Sequence, residues 1–253
     1  LRNQFSRNFS QLTTSGTVAL SVAALAAGLK NGDEILVPSY GVISTIHAFS
    51  SIGLIPRLVD INISTASITF KEILNSITPK TKAICYVNFA GNTGKDIVEI
   101  EKFCKESNLI LIEDAACAMG NSFCGRMAGS FGNISTFSLS APKIITTGQG
   151  GVLLTNEENI FRRLNEVIDL GDIEWRKTNF NRGIGSNLRY TNIQAALGIS
   201  QLSSLRKKLN HRKQVFEQLK SKLEQNIFFP EGVEAPLFNI ILDRKSTRLN
   251  SSH

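Results

Sequence analysis

Four short apolar runs, each preceded or followed by a stretch with helical spacing, constrain this chain more than any other feature. EILVP (34–38), IPRLVD (55–60), TKAICYV (81–87) and NLILIED (108–114) are rich in Ile, Leu and Val, and each has the length of a single strand. Between them Ile43 to Ser51, Phe70 to Ser76 and Ile97 to Ser107 read as helices. A further helix precedes the first run, with apolar Val18, Leu20, Val22, Ala23, Leu25 and Ala26 and with Ser15 as its N-cap. Gly32-Asp33 marks a turn. Such alternation implies an α/β fold, a mainly parallel sheet between helices that cover both of its faces.

From Asn133 the pattern changes. ISTFSL and GGVLLT read as two strands flanking a Gly-rich loop, Thr146 to Gly151, and Glu157 to Leu170 as a helix. Gly171 to Tyr190 is a long polar loop, of the kind that often carries function. Thr191 to about Asn226 reads as one long helix or two broken ones, and FNIIL as an interrupted strand. The tail DRKSTRLNSSH departs from everything before it and resembles appended sequence, outside the fold.

Several function classes fall away on composition. The chain has 253 residues, 42% hydrophobic and 19% charged, an ordinary globular balance. Of its net charge of +7, Arg244, Lys245 and Arg248 against Asp243 place two charges in the tail. The cluster Arg206, Lys207 and Lys208 reads as a solvated helix face, and a nucleic-acid partner is not expected without a denser basic stripe. Cys85, Cys104, Cys117 and Cys124 form no CxxC pair and have three histidines for company, so no metal site is expected. Reduced cysteines suit a cytoplasmic protein. No apolar run reaches a membrane span, and LRNQFSRNFSQL lacks the apolar region of a signal peptide. The absence of an initiator Met suggests an incomplete N-terminus.

A few residues stand where chemistry is possible. Asp114 ends an apolar strand, and open α/β sheets bind ligands beyond the carboxyl ends of their strands. There it either meets a positive group on a ligand or caps a turn. Glu113 should point to the opposite face. Lys143, in SAPKIITTGQGG, has apolar neighbours in Pro142 and Ile144, which fits a nucleophilic amine as well as a surface loop lysine. Ser15-Gly16-Thr17 opens the first helix, where free N–H groups and the helix dipole favour a phosphate; simple capping accounts for it too. Ser138 lies five residues before Lys143 and could offer a hydroxyl to the same phosphate. GNTGKD (91–96) lacks the spacing of a nucleotide phosphate loop. His47, His211 and His253 are too scattered for a triad. Cys117 is either a reactive thiol or a small buried hydrophobe.

Taken in order, the stretches SGTVAL, NGDEILVPSY, TPKTKAI, LILIEDAACAMG, TFSLSAPKIITTGQGGVLLTN and NLRYTNIQAALGISQL resemble the DegT/DnrJ/EryC1/StrS family of sugar aminotransferases. They run from about Ser15 to Leu202, and the TGQGG loop and TNIQAALG are most like the branch that makes 4-amino sugars of the perosamine type. The resemblance implies aminotransferase fold type I and pyridoxal 5'-phosphate as cofactor. It implies Lys143 as the lysine that carries the cofactor as a Schiff base, and Asp114 as partner of the ring nitrogen. Gly16, Thr17 and Ser138 would hold the phosphate. Asn187, in SNLRYT, would reach a phosphate in a neighbouring subunit, so the resemblance implies a homodimer with shared active sites. The substrates implied are a nucleotide-linked keto-deoxysugar, of the 4-keto-6-deoxyhexose kind, and an amino donor, usually glutamate. Dehydratase relatives carry histidine in place of the lysine; this chain keeps Lys143. Other chemistry on the same cofactor, and a cofactor-binding chain without turnover, are the alternative readings.

Two cofactor positions depart from the family pattern. Val42 stands where an aromatic residue often stacks on the ring, and valine offers less contact. Cys117 stands where glutamine, as in EDAAQA, would bond the phenolic oxygen, and a thiol is a weaker partner. Residues 1–200 are expected to form the cofactor-binding large domain and 201–242 the start of a truncated C-terminal small domain. Residues 243–253 are the appended tail. Trp175, Arg176 and Arg182 in the long loop are either substrate-phosphate contacts or solvated charges.

Overall fold

The computed structural model describes residues 5–62, 65–171, 177, 181 and 183–222, and the backbone of 227–228 and 241–242. Seven strands form one sheet: β1 (Phe9–Thr13), β2 (Glu34–Pro38), β3 (Ile55–Val59), β4 (Thr81–Val87), β5 (Ile110–Asp114), β6 (Ile134–Ser138) and β7 (Gly151–Thr155), in the order β1-β7-β6-β5-β4-β2-β3. The pairs from β3 across to β6 are all parallel, whereas β7 runs antiparallel to both β6 and β1. The expected α/β architecture with a mainly parallel sheet is what forms.

Helices α1 (Gly16–Ala26), α2 (Ile43–Ser50) and α5 (Glu158–Ile168) cover one face; α3 (Phe70–Ser76) and α4 (Ile97–Glu106) cover the other. The sequence explains the division. In α1 nearly every side is apolar, with Ala19, Leu20, Val22, Ala23, Ala24 and Ala26 buried, which suits a helix walled by neighbours. In α5 the buried set is Ile160, Leu164 and Ile168, a single stripe at fourfold spacing. Along β5 the period of two sends Ile112 to the α1 side and Leu111 to the α4 side. Each such fully buried aliphatic side chain contributes about 1.5–3 kcal/mol by leaving water.

The segment after β7 resolves into α6 (Asn192–Ser203) and α7 (Leu205–Lys222), so the broken-helix alternative holds. Thr191 and Gln194 form a reciprocal capping box at the start of α6. Leu205 is buried in a third cluster with Phe5, Phe137, Leu139, Ile144 and Val152. FSQLT carries no clear strand pattern, because Ser10 and Gln11 break its apolar run; β1 is an edge strand paired with β7. Of the interrupted strand in FNIIL, Ile241–Leu242 pairs with Ile227–Phe228. The tail 243–253 lies outside the described residues.

Glu113 does point away from Asp114, and its side is fully buried. Its Oε1 accepts from the Asn88 side chain at 2.8 Å and the Gly129 N–H at 2.6 Å. Its Oε2 accepts from the N–H groups of Phe131 at 3.0 Å and Gly132 at 3.3 Å. Arg7, itself buried, donates to the carbonyls of Gly129 and Gly132 at 3.0 and 2.7 Å. Burial pushes the Arg7 guanidinium down, and the Glu113 charge opposes that shift. The carboxylate thereby fixes the loop between β5 and β6. Replacing Glu113 with Ala strands these donors, and should lower the unfolding free energy by about 3 kcal/mol or more in denaturant titration.

Candidate active site

Beyond the carboxyl ends of the parallel strands lies a cavity of about 370 Å³. Among its walls are Gly16 and Thr17 from α1, Val42 and Thr45 from α2, Asp114 and Cys117 after β5, and Ser138 and Lys143 after β6. Seven of the residues singled out in the sequence thus meet in one place: Gly16, Thr17, Val42, Asp114, Cys117, Ser138 and Lys143. Asn187 does not line this cavity. It is exposed, forms an isolated bridge with Asp169, and accepts from Arg189 Nε at 3.0 Å.

One end of the cavity is built for an anion. Ser15 is in extended conformation at the cap of α1, and its Oγ accepts from the Val18 N–H at 3.2 Å. The first-turn amides of Gly16 and Thr17 have no partner within the helix. Ser138 ends β6 directly opposite. A Cβ on Gly16 would come within 2.9 Å of the Ser138 Cβ, and one on Gly151 within 2.2 Å of the Ser15 carbonyl oxygen. Both glycines are therefore needed for α1 to sit this close to the β6–β7 edge. Ser138 Oγ lies 3.1 Å from Ser140 Oγ, so the hydroxyl stays at the cavity wall.

At the floor, Asp114 is buried at 4% exposure. Its Oδ2 accepts from Thr45 Oγ1 at 2.9 Å and its Oδ1 from the Ala116 N–H at 3.1 Å. Burial pushes the carboxyl up from its usual range, while those two hydrogen bonds and the Lys143 charge pull it down. Beneath it, the Cys85 thiol on β4 is held far above its usual range by burial and by the Asp114 charge. No second negative charge therefore competes there.

Lys143 is half-buried, in a turn whose N–H donates to the Ser140 carbonyl at 3.0 Å. Its Nζ donates to Cys117 Sγ at 2.9 Å. Cys117 is half-buried and faces the cavity, so it is no buried hydrophobe. A smaller cavity of about 140 Å³ lies alongside, and Val42, Thr45 and Val87 line both.

The Gly-rich loop before β7 is strapped to α6. Tyr190 donates from its hydroxyl to Thr147 Oγ1 at 2.6 Å, and Gln194 Nε2 donates to the Gln149 carbonyl at 2.9 Å. Other tempting signals have structural duties. Within GNTGKD, Thr93 donates to Asn88 Oδ1 at 2.7 Å, Gly94 N–H donates to the Tyr86 hydroxyl at 2.8 Å, and Asp96 accepts from the Phe70 N–H that opens α3. His47 and His211 are exposed and line no part of the cavity. His253, Trp175, Arg176 and Arg182 lie outside the described residues.

Sequence reasoning missed Thr45, Asn88 and Gln149. Asn88 follows directly on β4, so the rule that drew attention to Asp114 applies to it equally. Thr45 carries no comparable signal, since it is one hydroxyl in the first turn of a short helix.

The sheet order, with the site at its carboxyl edge, is that of aminotransferase fold type I. The chain belongs to the DegT/DnrJ/EryC1/StrS aminotransferase family, whose sequence profile matches residues 4–235. It is 35% identical to GDP-perosamine synthase of Escherichia coli O157:H7, over 85% of this chain and 58% of that protein. Among solved structures it is similar to the aminotransferase from Psychrobacter cryohalolentis, with a TM-score of 0.83 and 30% identity over 91% of this chain and 62% of that one. It is also similar to E. coli GDP-4-keto-6-deoxy-D-mannose-3-dehydratase with bound hydrated PLP, with a TM-score of 0.87 and 27% identity over 99% and 73%. The chain spans a little over half the length of the curated relatives it matches.

The buried carboxyl makes stability depend on pH. Its pKa is raised on folding, so the folded state holds its proton to higher pH than the unfolded state does. Its contribution is therefore most favourable below the unfolded carboxylate value of about 3.9 and is lost as pH rises through the folded value. Asp114→Asn should flatten this slope and raise the thermal midpoint of the cofactor-free chain at neutral pH, measured by calorimetry across a pH series.

Proposed function

We infer that this chain is a pyridoxal 5'-phosphate-dependent aminotransferase acting on a nucleotide-linked keto-deoxysugar. A 4-keto-6-deoxyhexose is the favoured acceptor and glutamate the donor. The observation that carries the reading is the convergence of an amine, a buried carboxylate and an anion cradle on one cavity: Lys143, Asp114, and Gly16 with Ser138. The names of the relatives, GDP-perosamine synthase among them, support the sugar class.

The residues fit the cofactor. Bound pyridoxal phosphate supplies an electron-withdrawing ring that carries the amino group from donor to acceptor. The Gly16 and Thr17 amides and the Ser138 hydroxyl hold its phosphate at the helix dipole. Asp114, whose two oxygens accept from Thr45 and Ala116, would keep a proton on the ring nitrogen. Lys143 Nζ would be the covalent attachment point and, once freed, would hold and move a proton at the substrate carbon. Cys117 Sγ, beside that amine, stands where the phenolic oxygen needs a partner. Val42, in the cavity wall, would pack against the ring.

A homodimer completes the reading. Along α6, Ile193, Leu197 and Ile199 are 77%, 50% and 72% exposed, and Ile184 just before it is 99% exposed. So much apolar surface on one short stretch is that of an interface. A second copy seated there would bring Asn187 toward its neighbour's phosphate. No helix among the described residues is long and apolar enough to cross a membrane. Four free thiols suit the reducing cytoplasm assigned to it.

Cofactor added to the chain should produce an absorbance band near the edge of the visible that Lys143→Ala abolishes; identical spectra for the two would end the proposal. With a keto-sugar nucleotide and glutamate present, 2-oxoglutarate should accumulate, which tests the substrate class separately. Ile199→Asp should shift the sedimenting species from dimer to monomer by burying a charge at the interface.

A further inference from the structure

We propose that Thr45 is a positioning residue of this site: its hydroxyl fixes the orientation of the Asp114 carboxylate and holds it in the charged form that a protonated ring nitrogen needs. The inference rests on the role given to Asp114 above. It adds the residue that makes that role possible.

The geometry is specific. Thr45 is 5% exposed and Asp114 4%, and their 2.9 Å hydrogen bond lies out of reach of bulk water. Threonine in a first helical turn commonly bonds back to its own backbone. Here the backbone N–H of Thr45 donates to the Val42 carbonyl at 3.1 Å, while the hydroxyl crosses from α2 to β5 instead. The second carboxylate oxygen is held by the Ala116 N–H, so the two oxygens are clamped from opposite sides by different elements. A carboxylate with one donor on each oxygen cannot rotate without breaking both bonds.

The charge balance gives the clamp its purpose. Burial alone disfavours the charged carboxylate. The groups that face Asp114 are Lys143, from the loop after β6, and the Cys85 thiol, from β4, which stays neutral. Lys143 moves during the reaction and cannot be a constant counter-charge. Thr45 and Ala116 are fixed. Without the Thr45 hydroxyl Asp114 becomes more basic and would compete with the ring nitrogen for its proton. The ring then withdraws electrons less well. Val42, the N-cap of α2, and Thr45 in its first turn line the same cavity, so the residue that would face the ring and the one that orients Asp114 belong to one helix start.

The test compares wild type, Thr45→Val, Thr45→Ser and Asp114→Asn in the full chain, with and without pyridoxal phosphate. Valine keeps the shape and removes the donor; serine restores the donor. In the cofactor-loaded chain, the 15N chemical shift of labelled cofactor reports the ring-nitrogen proton directly. Thr45→Val should lower the protonated fraction and weaken cofactor binding by about tenfold or more, and Thr45→Ser should recover both. In the cofactor-free chain, Thr45→Val should move the pH-dependent loss of stability to higher pH, and in an Asp114→Asn background it should move nothing. Wild-type values for Thr45→Val in both arms would overturn the proposal. So would equal damage from valine and serine, which is the mark of packing alone. If Asp114→Asn leaves the 15N signal unchanged, the role of Asp114 fails, and the cofactor-free arm still decides whether Thr45 holds it.

Discussion

Two neighbouring carboxylates at the end of one central strand, turned to opposite faces and both buried, set the terms for the rest of this molecule. Buried polar groups need partners, and the donor shell of each carboxylate reaches into a different part of the chain. Glu113 gathers the loop between β5 and β6 and draws in Asn88 from the end of β4. Asp114 draws in the first turn of α2 and the peptide after β5. Asn88 lines the same cavity as Asp114 while it is bonded to Glu113, so the two shells share a wall. The architecture around the site is in large part the means of supplying these two buried acids with donors.

The anion end depends on a different constraint, which is distance. Helix α1 is apolar on all sides and is wedged between the sheet and its neighbours. Its first turn is usable only because Gly16 and Gly151 allow it to press against Ser138 and the start of β7. The antiparallel direction of β7 matters here. It brings a strand beginning, Gly151, rather than a strand end, next to Ser138 and Thr13.

The parallel core was legible in the sequence because every central strand is buried on both faces, so apolar runs such as EILVP and LILIED stand out without alternation. Strand β1 was not legible, because an edge strand needs no such run. Asp114 and Lys143 could be picked out by position and by family resemblance. Thr45 could not, because its importance comes from a partner 69 residues away. Asn187 was nominated by resemblance alone, and its exposed place at the bridge to Asp169 fits a duty outside its own chain. Much of the long polar loop from Gly171 to Tyr190, residues 172–176, 178–180 and 182, lies outside the described residues.

The strap between the Gly-rich loop and α6 has a consequence for how the protein behaves as it is diluted. Tyr190 and Gln194 hold Thr147 and Gln149 from the inner side of the segment whose outer side exposes Ile193, Leu197 and Ile199. Gln149 lines the cavity, and Gly150 follows it directly into β7. If two copies pair through α6, as proposed, association and ligand retention would become two ends of one lever, linked by mass action. Ligand saturation would then vary with protein concentration, and each ligand bound would in turn favour the paired state.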